Sequence, residues 1–222
     1  MRLNLSKPIL YLITPGATAE TTTSAGEEFQ DILVQISAAV AAGIQLIQIR
    51  EKNLTARMLF ELTANVLGII RGTSTRVLVN DRADVAASLG ADGVHLTTRS
   101  IDANVIRKTF GRNFVIGAST HSLAEATSAR DGGADFTVFG PVFETATKAN
   151  YGSPLGIAAL AEVCLALKPF PILALGGVST ENASECLRAC AAGLAGISLF
   201  SDPVTMKANV AKVRAHVETD LS

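Results

Sequence analysis

An α/β chain closed into a single (β/α)8 barrel is what this sequence predicts, on three observations. Short apolar runs, many of them β-branched, recur eight times, and longer Ala- and Leu-rich segments with helical spacing lie between them. Polar residues collect where the apolar runs end. Strands that alternate with helices build a parallel sheet, and eight of them in 222 residues fit a TIM barrel better than an open doubly wound sheet. No internal boundary or repeat interrupts the pattern, so one domain over residues 1–222 is expected.

The first strand covers Ile9 to Thr14 and runs into the polar loop Gly16 to Glu27. That loop lacks the glycine-rich fingerprint with which an open sheet grips a dinucleotide. A helix over Asp31 to Ala42 follows, then a strand over Gln45 to Arg50 and a helix over Ala56 to Ile70. The third strand, Arg76 to Asp81, ends in Asn80-Asp81-Arg82, and the fourth, Gly93 to Leu96, carries His95. The fifth, Phe114 to Ser119, ends Ser119-Thr120-His121 before a helix over Ser122 to Gly132. The sixth, Phe136 to Gly140, opens the loop Val142 to Pro154, and Gly156 to Leu167 is helical. The seventh, Pro171 to Gly177, closes on a glycine pair and is followed by a helix over Asn182 to Ala192. The eighth strand is expected at Gly196 to Ser201.

With 48% hydrophobic and 18% charged residues the chain can bury a large core and has no disorder signature. Its net charge of -1 argues against nucleic acid or a membrane surface as partner, so any bound anion is met by local charge. No apolar stretch reaches membrane-span length, and Met1 to Pro8 lacks a secretory apolar core; a cytoplasmic location is expected. Cys164, Cys186 and Cys190 are expected to be buried, reduced thiols. A homo-oligomer is compatible with all of this.

In a barrel the loops after the strands build the active site. Gln48, Arg50 and Lys52 alternate along one strand end and therefore point to one side, where two cations and an amide suit an anion. A solvated strand end is the alternative. Asp81 could bind Mg²⁺ while Asn80 bonds an anionic oxygen, or it could cap a helix over Arg82 to Leu89. In the loop after Gly140-Pro141, the hydroxyls of Thr145 and Thr147 and the ammonium of Lys148 suit a phosphate or pyrophosphate, against a plain solvated loop. Backbone amides near Gly176-Gly177 and in Gly196 to Ser201 could cradle a phosphate, although tight turns use glycine too.

Taken in order, Gln48-x-Arg50-x-Lys52, Asn80-Asp81-Arg82, Ala91-Asp92-Gly93-Val94-His95, Ser119-x-His121, Gly140-Pro141 with Thr145-x-Thr147-Lys148, Gly156, Gly176-Gly177 and Ser201 resemble the thiamine phosphate synthase family. The resemblance runs from Leu10 to Ser201 and rests on order and spacing, since no one motif is specific. It implies a (β/α)8 transferase that joins hydroxymethylpyrimidine diphosphate to a thiazole phosphate or its carboxylate, releasing pyrophosphate. It further implies that Gln48, Arg50, Lys52, Asn80 and Lys148 hold the pyrimidine diphosphate, with Asp81 on Mg²⁺. Ser119 would lie near the pyrimidine and the reacting centre, Thr145 and Thr147 near the thiazole, and Gly177 with Ser201 at its phosphate. Arg50, Lys52, Ser119 and Lys148 are the residues it implicates in catalysis.

The sequence departs from the family pattern at one place. The family's fourth strand usually continues into Gly-Gln-x-Asp, whose aspartate is a second Mg²⁺ ligand; here Leu96-Thr97-Thr98-Arg99-Ser100 puts Ser100 at that position, a much poorer ligand. Arg99 could contact phosphate in compensation or be an ordinary surface residue. A related family, the thiazole tautomerases, shares the barrel but carries a catalytic histidine where this chain has Pro141. The Val142-Phe143-Glu144-Thr145 wording and the missing aspartate lean toward that relative, and His95 or His121 would be its substitute bases. A catalytically weakened binder of thiamine precursors is the third reading.

Overall fold

Eight parallel strands alternate with eight α-helices in the computed structural model, which describes residues 5, 6, 8–145 and 153–219. In chain order they are β1 (Ile9–Ile13), α1 (Glu27–Ala41), β2 (Leu46–Ile49), α2 (Ala56–Ile70), β3 (Arg76–Asn80), α3 (Ala83–Leu89), β4 (Gly93–Leu96) and α4 (Ala103–Phe110). The second half comprises β5 (Val115–Thr120), α5 (Leu123–Asp131), β6 (Phe136–Phe139), α6 (Gly156–Ala166), β7 (Ile172–Ala174), α7 (Ala183–Arg188), β8 (Gly193–Gly196) and α8 (Met206–Thr219). Each strand pairs with the next, and β8 returns to β1, closing the barrel.

Strand alternation divides the apolar side chains into two cores. Tyr11, Ile13, Leu46, Leu78, Phe136, Val138 and Leu173 fill the barrel interior. Their neighbours Leu12, Ile47, Ile49, Val77 and Val79 face outward onto helix residues such as Phe29, Ile36, Leu62 and Val66. The parity matters for function: Gln48, Asn80, His95 and Ser119 occupy inward positions at the C-terminal ends of β2 to β5.

The eighth strand corrects the sequence expectation. It lies at Gly193–Gly196, and Ser198–Phe200 forms a turn of 3-10 helix instead of a strand. Gly193 pairs with Ile9, and a Cβ there would overlap the Ile9 backbone, so closure of β1 against β8 requires glycine. Such a small-residue strand carries little apolar signal, whereas Ile197 to Phe200 next to it carries much. The preceding helix also stops early, at Arg188 instead of Ala192, because Cys190 takes a left-handed φ of 66° and Ala191 N–H turns back to Cys186 O. Cys164 and Cys186 are buried, which pushes their thiols up to about 12, but Cys190 is exposed, contrary to expectation. At the other end, α1 begins at Glu27 instead of Asp31, since Gly26 supplies an extended N-cap and two glutamates favour the first turn.

Candidate active site

The inward positions at the strand ends form a polar layer above the apolar interior. His95 is buried and bridges two hydroxyls: Nδ1 lies 3.1 Å from Tyr11 Oη, and Nε2 lies 3.0 Å from Ser119 Oγ. Tyr11 also meets Phe136 edge-on, with ring centroids 5.4 Å apart. Space for this cluster comes from Gly117, where a Cβ would come within 2.5 Å of Phe136 Cζ and 2.7 Å of His95 Nδ1. Burial, with the Arg50 charge adding to it, lowers His95 to about 3, so the ring is neutral near pH 7. Burial pushes the Tyr11 hydroxyl well above its ordinary value, which keeps it protonated.

Beside this cluster, Gln48 is 1% exposed and its Nε2 has no hydrogen-bond partner among the described residues. The Gln48 amide lies next to the Tyr11 hydroxyl and keeps donor capacity that an acceptor on a ligand would use.

Above Gln48 the same strand edge carries the cations. Arg50 is half-buried, with its backbone N–H donating to Thr14 Oγ1 at 2.8 Å. Lys52 is exposed, and its pKa is lowered first by partial desolvation and then by Arg50 and Arg99. Glu51, of opposite parity, is buried and accepts from Gly16 N–H at 3.0 Å, Thr18 N–H at 3.2 Å and Thr18 Oγ1 at 2.8 Å. It ties the loop after β1 to β2 and so shapes the mouth. Sequence reading passed over Glu51, although a carboxylate between two cations and out of phase with them was its signal.

A cavity of about 360 Å³ opens at the ends of β2, β3 and β4, lined among others by Lys52, Asn80, Asp81, Arg82, Thr97 and Arg99. Asp81 has a left-handed φ of 59°, and its N–H donates to His95 O at 2.9 Å. It does not cap α3, whose N-cap position is Arg82 and has no side-chain cap bond, so the capping alternative falls away. A left-handed conformation at a non-glycine residue costs of order 1–3 kcal/mol, the kind of strain found where a side chain is aimed at a ligand. Arg82 is neutralised by Asp84, through Nε–Oδ1 at 2.8 Å and Nη2–Oδ2 at 2.7 Å.

Ser100 is turned into its own loop. Its Oγ accepts from Thr97 N–H at 2.7 Å and bonds Thr97 Oγ1 at 3.0 Å. Among the described residues no three His, Cys, Asp or Glu side chains converge on a metal position. With Glu51 engaged by the β1 loop, Asp81 is the carboxylate left on the cavity wall. This donor set suits Mg²⁺ that arrives on phosphate oxygens and is held to protein through one carboxylate; it does not suit a protein cage.

The far side of the mouth belongs to β6, β7 and β8. Gly140-Pro141 is buried, and the chain beyond it runs alongside β7, with Val142 N–H on Leu175 O at 2.9 Å and Phe143 N–H on Gly176 O at 3.0 Å. Thr145 is half-buried at the edge of the described chain, while Thr147 and Lys148 lie outside the described residues. Gly177, φ 65°, has its carbonyl bonded by Asn182 Nδ2 at 2.9 Å, and exposed Ser201 donates to Ser198 O at 3.0 Å. His121, on the loop after β5, pairs with Glu125 at 3.2 Å.

A closed barrel whose strand-end mouth gathers cations without ion pairs among the described residues, beside a polar layer, has the architecture of a barrel enzyme with its site at the strand ends. The chain belongs to the thiamine monophosphate synthase family, whose profile matches residues 10–200. It is 38% identical over 209 residues to the thiamine-phosphate synthase of Anaeromyxobacter dehalogenans (strain 2CP-C), covering 94% of this chain and 87% of that one. It is also 38% identical over 191 residues to the thiamine-phosphate synthase of Chlorobium luteolum (strain DSM 273 / BCRC 81028 / 2530), with 86% and 84% covered. Among solved structures, thiamine phosphate pyrophosphorylase from Pyrococcus furiosus superposes with a TM-score of 0.78 at 29% identity, covering 96% of each chain.

Proposed function

We infer that this protein is a thiamine-phosphate synthase, joining hydroxymethylpyrimidine diphosphate to thiazole phosphate and releasing pyrophosphate. The family membership supports the reaction, and the observation that carries the site reading is the cavity that Lys52, Asn80, Asp81 and Arg99 line at the strand ends, with the buried Gln48 amide on the neighbouring inward position of β2. Arg50, Lys52 and Asn80 would bind the diphosphate, with Lys148 closing on it from the loop after β6. Gln48, lying deeper and beside Tyr11, would meet the pyrimidine end of the same substrate.

Departure of pyrophosphate from an electron-rich pyrimidine methylene leaves a stabilised cation, which the thiazole nitrogen captures. The enzyme's work is to stabilise leaving charge and to align two substrates, so no nucleophile is needed. A charge pair at about 4 Å is worth about 4 kcal/mol at an effective dielectric near 20, before desolvation costs. Asp81 would hold Mg²⁺, which would supply charge neutralisation for the leaving group. Tyr11 O–H donating to His95 Nδ1 would put the ring proton on Nε2, facing Ser119 Oγ. The Ser119 hydroxyl proton is then free for the pyrimidine. Thr145 and Thr147 would contact the thiazole, and Gly177 with Ser201 its phosphate.

Against the Val142-Phe143-Glu144-Thr145 wording that leans toward the tautomerase, Pro141 offers no acid or base, His95 is buried and hydrogen-bonded on both nitrogens, and His121 pairs with Glu125. Incubation with both substrates should yield thiamine phosphate by mass spectrometry, and omission of either should abolish it. Conversion of the thiazole carboxylate tautomer with no coupled product would overturn the assignment.

A further inference from the structure

We propose that Arg99 gives this protein a hold on diphosphate that is largely independent of a divalent cation. The proposal rests on the diphosphate reading of the β2–β4 mouth. Arg99 sits on a turn fixed by four hydrogen bonds: Ser100 N–H to Thr97 O at 3.1 Å, Thr97 N–H to Ser100 Oγ at 2.7 Å, Thr97 Oγ1 with Ser100 Oγ at 3.0 Å, and Arg99 N–H to Thr97 Oγ1 at 3.3 Å. The turn sets its side chain on the wall of the cavity shared with Lys52, Asn80 and Asp81.

Charge at this wall is unbalanced. No ion pair engages Arg50, Lys52 or Arg99 among the described residues, whereas Arg82 is satisfied by Asp84. Partial desolvation chiefly lowers the pKa of Lys52, and the charges of Arg50 and Arg99 add to it. Lys52 and Arg99 line the cavity with Asp81, while the carboxylate of Glu51, also on its lining, is turned to the β1 loop. An anion would engage both unpaired cations, and the guanidinium fork of Arg99 matches phosphate oxygens in a bidentate manner. The same turn consumes the Ser100 hydroxyl, so the segment that presents Arg99 offers the metal no ligand. Arg99 therefore supplies, from a fixed position, charge that a more fully liganded metal would otherwise bring.

Titration calorimetry with inorganic pyrophosphate, in EDTA and in saturating Mg²⁺, tests this on the wild-type protein and on Arg99→Gln. The exposed side chain makes the variant's melting temperature an adequate check of folding. We expect wild-type Kd values within about threefold in the two buffers. Arg99→Gln should weaken binding in EDTA by at least tenfold and by much less in Mg²⁺. Wild-type binding that appears only with Mg²⁺, or an Arg99→Gln variant unchanged in EDTA, would overturn the role of Arg99 while leaving the synthase reading standing. No binding in either buffer would overturn both this role and the diphosphate site.

Discussion

His95 Nε2 and Ser119 Oγ lie 3.0 Å apart, joining adjacent strands β4 and β5 at the layer where the apolar barrel interior meets the mouth. Tyr11 holds the opposite ring nitrogen, so the imidazole is placed to orient Ser119, and burial keeps it from titrating near neutral pH.

The first prediction concerns stability against pH. The folded-state pKa of His95, about 3, lies below the ordinary 6.5, so the unfolded chain binds the extra proton as pH falls. The stabilisation is complete above pH 6.5 and is lost progressively between 6.5 and about 3, by about 2 kcal/mol at pH 5. Urea denaturation at pH 8 and pH 5 should show this loss in the wild type and a smaller one in His95→Asn.

Arg50→Ala should lower turnover about 100-fold or more, in line with the loss of one or two charged hydrogen bonds to the leaving group, while the melting temperature stays nearly constant. The side chain is only half-buried and makes no ion pair among the described residues. Unchanged turnover would remove Arg50 from the diphosphate grip.

Pyrophosphate affinity should depend on the charge of Lys52. Its pKa in the free protein lies below 10.5, and a bound anion raises it, so binding takes up a proton at alkaline pH. Relative to Lys52→Gln, which shares the titration of pyrophosphate itself, wild-type affinity should hold a constant advantage below the free-protein pKa and lose it above, by up to tenfold per unit. Calorimetry of both proteins across pH 7–10 should show that advantage shrink.

Ser100→Asp should strengthen apparent Mg²⁺ affinity in the presence of pyrophosphate. One carboxylate oxygen can replace Ser100 Oγ on Thr97 N–H, leaving the other to reach for the metal that Asp81 would hold. A metal titration monitored through pyrophosphate binding checks it; unaltered affinity would mean that position 100 does not reach the metal.

Strand alternation made much of this site legible in advance. Gln48, Asn80 and Ser119 are in phase at strand ends, and the barrel puts them on one face; β2 ends at Ile49, so Arg50 and Lys52 follow it in the loop, where strand alternation no longer holds. Contacts between distant segments were not legible. The Tyr11–His95–Ser119 chain joins three strands, and Gly117 matters through the volume it leaves for two rings from elsewhere. Asp81 as a non-capping, left-handed residue depends on backbone geometry, which side-chain pattern does not encode. The eighth strand was displaced because closure demanded glycine where apolar patterning favours Ile197 to Phe200.

The central claim is that the mouth over β2, β3 and β4 receives the diphosphate. A crystal structure with pyrophosphate and Mg²⁺ tests it most directly: the account predicts phosphate oxygens within about 3.5 Å of Arg50, Lys52 and Asn80. Pyrophosphate seated only beside Gly177 and Ser201, with the β2–β4 mouth empty, would contradict it.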